Sequence, residues 1–126
     1  MELSPLINNA LRKYDFISAT FIFGSYGKKT FNNDSDIDIA ILLKGNISYM
    51  ELLSIEEKLE DEIGYKIDLN SLRDLQEHIQ LEIIIRNECL FISDDVDYEK
   101  YLDELNFWYK TEYAFWIKMM TERGMA

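Results

Sequence analysis

Residues 23–42 run FGSYGKKTFNNDSDIDIAIL, with Gly24-Ser25 and Asp36-Ile37-Asp38 separated by ten residues. Upstream, Phe16 to Phe23 is rich in β-branched and aromatic residues and stops at Gly24, the pattern of a strand. Gly24-Ser25 can open a short helix through Lys29, and Asn32-Asn33-Asp34-Ser35 is a turn cluster. From Asp36 to Leu43 the chain alternates acid and isoleucine and then becomes wholly apolar, which predicts a second strand. Two acids one residue apart on a strand share a face, with Cα atoms ~6.6 Å apart. Ile37 and Ile39 then face the other way, into a core.

Outward from this stretch the periodicity changes. Leu3, Leu6, Ile7, Ala10, Leu11 and Tyr14 recur at helical spacing, and with Ser4 as N-cap and Pro5 as first residue they predict a helix over 5–14. Ser48 and Glu51 have capping-box spacing, so a helix should run from 49 to 62 and stop at Gly64. Tyr65 to Leu69 alternates as a short third strand. Ser71 is placed to cap a further helix with Leu72, Leu75, Ile79 and Ile83 on one face. Cys89 to Ile92 reads as a fourth strand, and Asp94 or Asp95 precedes a last helix over 96–121. The alternation predicts an α/β (α+β) fold, a small sheet flanked by helices, as a single domain over 1–126.

The acids suggest chemistry. Two carboxylates aimed into one space can hold Mg²⁺ together with substrate phosphates, and a pair of metals can clamp both oxygens of an in-line displacement. A third acid is available in Lys66-Ile67-Asp68-Leu69-Asn70, where Ile67 and Leu69 alternate inward. If this strand lies beside the second, Asp68 joins Asp36 and Asp38 on one face. A strand turning at Gly24 into a helix offers backbone N–H groups to a phosphate, and the Ser25 hydroxyl can donate to it. Lys28 and Lys29 follow closely enough to neutralise triphosphate charge. A lone Asp-x-Asp is common in surface turns; its conjunction with Gly-Ser at the preceding strand end and an acid in a third strand points to nucleotidyl transfer from a nucleoside triphosphate.

These residues carry a resemblance. Gly24-Ser25, ten residues, then Asp36-x-Asp38 resembles the signature of the minimal nucleotidyltransferases (MNT) of the DNA polymerase β superfamily. The likeness spans residues 5–93, with Arg86-Asn87-Glu88-Cys89-Leu90-Phe91 similar to the closing helix-to-strand segment. It implies the small nucleotidyltransferase fold with a mixed sheet. It further implies Asp36, Asp38 and Asp68 as Mg²⁺ ligands and Gly24-Ser25 as the phosphate site. Proteins of this length resemble the antitoxin half of HEPN/MNT toxin–antitoxin pairs. The implied activity is two-metal transfer of AMP from ATP to a tyrosine of the HEPN partner, an RNA-cleaving toxin. Two alternatives remain: a binding-only antitoxin that masks its partner, and nucleotide transfer to a small molecule. Arg86 could reach the nucleotide or cap a helix end.

Charge and tail bear on partners. The chain has 126 residues and a net charge of −11, yet residues 1–47 hold five acids and five bases, while residues 48–104 hold seventeen acids against five bases. Such acidity argues against direct nucleic-acid binding. The acidic face would speed encounter with a basic partner. Met1 to Pro5 lacks a signal-peptide pattern, and no apolar run is long enough to span a membrane, so a cytoplasmic location is expected. Residues 98–116 hold eight aromatics. Tyr98, Leu102, Leu105, Tyr109, Tyr113, Trp116 and Met120 form one helical stripe, and Tyr101, Trp108 and Phe115 a second. One stripe should pack on the domain, the other dock a partner in a hetero-oligomer.

Overall fold

The computed structural model describes residues 3–24, 36–86 and 88–122. In chain order they form α1 (Leu3–Arg12), β1 (Ile17–Phe23), β2 (Ile37–Leu43), α2 (Tyr49–Ile63), β3 (Ile67–Ser71), a 3₁₀ turn (Leu72–Asp74), α3 (Glu77–Arg86), β4 (Cys89–Ile92) and α4 (Asp95–Trp108). A π-helical turn (Tyr109–Tyr113) then leads into α5 (Ala114–Glu122). The sheet order is β3-β2-β1-β4. β1 runs antiparallel to β2 and β4, while β2 and β3 are parallel and joined through α2. This is the small sheet with flanking helices expected from the pattern, with the mixed strand directions that the resemblance implies.

β1 and β2 occupy the centre because they can be buried on both faces. On one face Ile37, Ile39, Ile41, Ile67 and Leu69 pack with Ile7 and Leu11 of α1 and Ile55, Leu59 and Ile63 of α2. On the other face Ala19, Phe21, Ala40 and Leu42 pack with Leu72, Ile83 of α3, and Tyr101 and Leu105 of α4. Successive strand residues point to opposite faces, so Asp38, two before Ala40, belongs to the α3/α4 side.

The caps of α2 follow expectation. Ser48 accepts from the Glu51 N–H at 3.0 Å, and Gly64, at φ 82°, donates its N–H to Glu60 O at 2.8 Å. The acidic run on α2 is more than a solvated face. Glu60 Oε2 accepts from Ile67 N–H at 2.9 Å and Glu56 Oε2 from Leu69 N–H at 2.8 Å. These carboxylates satisfy the outward N–H groups of edge strand β3, which would otherwise invite pairing with another chain.

Two expectations need correction. The helix expected after Ser71 is broken: Ser71 makes no side-chain cap, residues 72–74 form a 3₁₀ turn, and Leu75 is extended before α3 begins at Glu77. Gln80 explains the break, because its buried amide donates to Leu75 O at 2.7 Å and Arg73 O at 3.3 Å, carbonyls that a continuous helix would consume. Its Oε1 accepts from the Tyr101 hydroxyl at 2.8 Å, which locks α4 to α3, and burial pushes that phenol up from its ordinary pKa. The helix α1 also begins earlier than expected, at Leu3, with Pro5 inside its first turn.

The last helix starts as expected. Asp94 caps it by accepting from Asp97 N–H at 3.0 Å, and Asp97 accepts from the Ser18 hydroxyl of β1 at 2.6 Å. The two aromatic stripes do not stay separate. Tyr101 and Leu105 are buried and Tyr98, Leu102 and Trp108 partly so, hence the packing face draws on both. Phe107 and Phe115 are 71% and 64% exposed, and Tyr109 and Ile117 are also exposed. The side chains of Trp116 and Met120 lie outside the described residues.

Among the described residues, Thr20 Oγ1 is the buried side-chain atom with no hydrogen-bond partner. An orphaned hydroxyl costs about 1–2 kcal/mol, and Thr20→Val conserves shape. That variant is expected to raise stability by about 1 kcal/mol in a urea titration. A fall in midpoint would contradict it.

Candidate active site

The site lies where β1 ends and β2 and β3 begin. Asp38 is the cross-strand partner of Phe23 on one side and of Asp68 on the other. Parallel pairing in this register sets the Asp38 and Asp68 backbones one strand spacing apart, about 4.8 Å, with both side chains on the α3/α4 face. Their neighbours Ile37, Ile39, Ile67 and Leu69 are buried on the opposite face and fix that orientation. Any one-residue slip in β3 would send Asp68 to the wrong side. Asn70 steadies the strand by donating to Ile39 O at 3.4 Å and Asp68 O at 3.2 Å.

Asp38 is half-buried, whereas Asp36, just before β2, and Asp68 are exposed. The Asp38 carboxyl is pushed up to about 6. Burial is the largest cause, followed by the Asp68 charge, a hydrogen bond with Asp68, and the Asp36 charge. None of the ion pairs among the described residues involves these three acids.

Gly24 closes the site from β1. Its φ of 74° lies in the left-handed region. A Cβ built there would collide with Asp38 Oδ2 and sit 3.1 Å from Cγ. Glycine is therefore required twice, by the turn and by the approach of the carboxylate. Ser25, Lys28 and Lys29 lie outside the described residues.

Three converging His, Cys, Asp or Glu side chains, a ready-made metal cage, do not occur among the described residues. The donor set is instead a pair, Asp38 and Asp68, with Asp36 at the head of the strand. A hard cation such as Mg²⁺ fits this arrangement, because it commonly takes one or two carboxylates and completes its shell with water and substrate phosphates. Burial lifts Asp38 most, and the charge of Asp68 and Asp36 that adds to it is what such a cation would relieve.

A cleft of about 180 Å³ adjoins Gly24, between the end of β1 and α3. Its lining includes Phe23, Ile83 and Arg86. Sequence reasoning singled out Arg86 without a place for it. In the structure Arg86 pairs with Glu82 at 3.0 Å. Phe23 and Ile79 read from the sequence only as strand and helix residues, since nothing in the local pattern places α3 against the end of β1.

Comparison with known proteins places this geometry in context. The family described as Polymerase beta, Nucleotidyltransferase matches residues 6–96. The chain is 40% identical over 53 residues to "Putative protein adenylyltransferase MJ1217" of Methanocaldococcus jannaschii, covering 42% of this chain and 54% of the relative. It is 34% identical over 76 residues to "Putative protein adenylyltransferase MJ0128" of the same organism, covering 55% and 78%. The chain thus spans about half the length of the first of these relatives. Among solved structures, a toxin–antitoxin with AMP-PNP superposes with a TM-score of 0.73 at 22% identity, covering 98% of each chain. A tri-AMPylated Shewanella oneidensis HEPN toxin in complex with MNT antitoxin gives 0.70 at 22% identity, covering 98% of this chain and 96% of that one. At these identities the likeness is one of fold. No helix among the described residues is long and apolar enough to cross a membrane.

Proposed function

Because the chain belongs to the polymerase beta nucleotidyltransferase family, matched over residues 6–96, we propose that it is a Mg²⁺-dependent adenylyltransferase whose acceptor is a tyrosine of a HEPN-type toxin. The observation that carries this reading is the in-register pair Asp38 and Asp68 beside Gly24. The naming of the curated relatives as protein adenylyltransferases supports the acceptor class. The toxin and AMP-PNP of the fold neighbours support the partner and the nucleotide.

In this reading Asp36, Asp38 and Asp68 hold Mg²⁺, as one ion or two. When bound, the metal neutralises phosphate charge and polarises the reacting oxygens. Gly24 admits the triphosphate close to the backbone, Ser25 donates to a phosphate oxygen, and Lys28 and Lys29 balance its charge. The tyrosine oxygen attacks the α-phosphorus of ATP; a new P–O bond forms as the α–β bridge breaks, and pyrophosphate leaves. Asp68, the exposed member of the pair, faces the acceptor and can take the phenolic proton. Asp38, held by both neighbouring strands, positions the α-phosphate. Most of the rate gain comes from such positioning and charge stabilisation. Incubation with α-labelled ATP, Mg²⁺ and the HEPN partner, followed by mass spectrometry, should find one or more tyrosines heavier by AMP. Absence of any adduct on an otherwise neutralised toxin would favour the masking alternative.

The pKa of Asp38 makes metal binding pH-dependent. Its folded value, about 6, lies above the ordinary 3.8. The ionised form is therefore disfavoured in the metal-free fold, and stability falls as pH rises from about 4 through 6. A cation reverses this only where Asp38 is ionised. The rise in melting temperature on adding Mg²⁺ should be full at pH 7.5 and largely lost at pH 5. A pH-independent rise would argue that Mg²⁺ binds elsewhere.

The exposed apolar residues at the end of α4 and beyond it supply the docking surface in this reading. Phe107 and Phe115 resemble the aromatic anchors in which interfaces concentrate energy. Phe115→Glu is expected to weaken HEPN binding by about tenfold or more in calorimetry, without changing the melting temperature. Truncation before α4 is no test, because Tyr101 and Leu105 belong to the core. Unchanged affinity in the point variant would move the interface elsewhere.

A further inference from the structure

The cleft beside Gly24 meets the proposed phosphate site at that glycine, and its other lining residues have no part in the phosphate and metal chemistry described so far. Phe23 supplies its floor, Ile79 and Ile83 of α3 its wall, and Glu82, Arg86 and Glu88 its rim. Phe23 is the cross-strand partner of Asp38, so its backbone lies one strand spacing, about 4.8 Å, from that of Asp38. It lies on the β1 side of Asp38, whereas Asp68 lies on the β3 side. At about 180 Å³ it is smaller than the pockets of ~300 Å³ or more that take whole drug-sized ligands. Such a space takes one flat moiety.

We infer that this cleft holds the base of the nucleotide, and that its rim selects bases bearing an exocyclic amino group. The inference rests on the nucleotidyl-transfer reading above. Three candidates compete for the space, and the lining separates them. A phosphate is disfavoured, because two carboxylates oppose one guanidinium and that guanidinium is already paired with Glu82 at 3.0 Å. The acceptor phenol is disfavoured because in-line attack brings it from the Asp68 side, opposite the leaving group. A base fits on both counts. Its faces meet Phe23 and the isoleucines, as bases stack on aromatic and apolar side chains. Its edge meets Glu82 and Glu88, which only accept hydrogen bonds. Adenine, cytosine and guanine carry amino donors for them. Uracil carries a carbonyl where those bases carry the amino group, so it sets acceptor against carboxylate at that position and offers only N3–H as an edge donor.

The test uses the full chain with Mg²⁺ and a fluorescent ATP analogue, displaced in turn by ATP, CTP, UTP and inorganic tripolyphosphate. ATP should bind about tenfold tighter than tripolyphosphate, with UTP the weakest nucleotide. Ile79→Trp, which fills the cleft from its half-buried wall, should reduce ATP affinity to that of tripolyphosphate and leave tripolyphosphate unchanged. Should that variant fold poorly, Glu82→Gln, at an exposed position, should shrink the ATP-to-UTP ratio by about threefold or more. Wild-type ATP affinity in a folded Ile79→Trp overturns the inference, as does an ATP-to-UTP ratio unmoved by Glu82→Gln. Tripolyphosphate binding as tightly as ATP overturns it while leaving the transferase reading intact. Failure of both ATP and tripolyphosphate to bind removes the transferase reading and the base cleft together.

Discussion

Asp38→Asn should lower AMP transfer by about 10³-fold or more and leave the metal-free protein at least as stable as before. The two halves of this expectation have one cause. Asp38 is half-buried, faces Asp68 in register and feels Asp36 at the head of its strand, so its charge is held at a cost. A shift from 3.8 to about 6 sets a ceiling near 3 kcal/mol, and solvent screening leaves about 1 kcal/mol. Asparagine keeps the shape and removes the repulsion. It also removes the charge on which, in the proposed function, cation binding and α-phosphate positioning depend, and electrostatic positioning of this kind is worth 10² to 10³ or more in rate. Label transfer from ATP and a thermal melt in EDTA read the two quantities separately. A melting temperature well below wild type, or retained transfer, would show that Asp38 is a structural residue.

Gly24→Ala should lower the rate of transfer by about 10²-fold, and Gly64→Ala should not. Both glycines have φ in the left-handed region, 74° and 82°, so both substitutions carry a backbone penalty of about 1–2 kcal/mol. They differ in surroundings. Around Gly64 nothing lies within 4 Å of an added Cβ, whereas at Gly24 it would strike Asp38 Oδ2 and crowd Cγ at 3.1 Å. The carboxylate must shift, and displacement of a positioning group by about 1 Å costs about 10²-fold. The paired variants therefore separate strain from collision. Equal activities in the two would mean that the approach of Gly24 to Asp38 is irrelevant to the reaction.

What could be read from the chain and what could not divide along physical lines. β1 and β2 were legible because strands buried on both faces are mainly apolar, with only the small hydroxyls Ser18 and Thr20 interrupting β1, and Asp36-Ile37-Asp38 set charge where a charged ligand would explain it. Asp68 was legible only conditionally. Alternation put it opposite Ile67 and Leu69, but the neighbourhood of β3 and β2 is set by the crossover through α2, a contact across some thirty residues. The break at Leu75 was hidden, since Leu72, Leu75, Ile79 and Ile83 suit an unbroken helix. What breaks it is the Gln80 amide, and that is fixed in turn by Tyr101, 21 residues away. The aromatic tail misled for a different reason. Tyr101 and Leu105 both reach the core from within α4, so the packing face is wide enough to take in both stripes before the turn at Tyr109–Tyr113 begins.

That turn has a consequence for assembly. Each residue of an α-helix advances the side-chain direction by about 100°. The π-helical turn at Tyr109–Tyr113 accommodates an extra residue without ending the helix, so α5 leaves it out of phase with α4. The side chains that grip the sheet and those that project beyond it thereby occupy different compass bearings on one continuous rod. Bearing is thus stored as a residue count rather than as a surface. A single insertion or deletion between 109 and 113 would swing Phe115 and Ile117 by about a quarter turn or more, with every contact in the catalytic half untouched. Relatives could in this way exchange partners by changing the length of one turn, while the chemistry at β1 and β2 stays as it is.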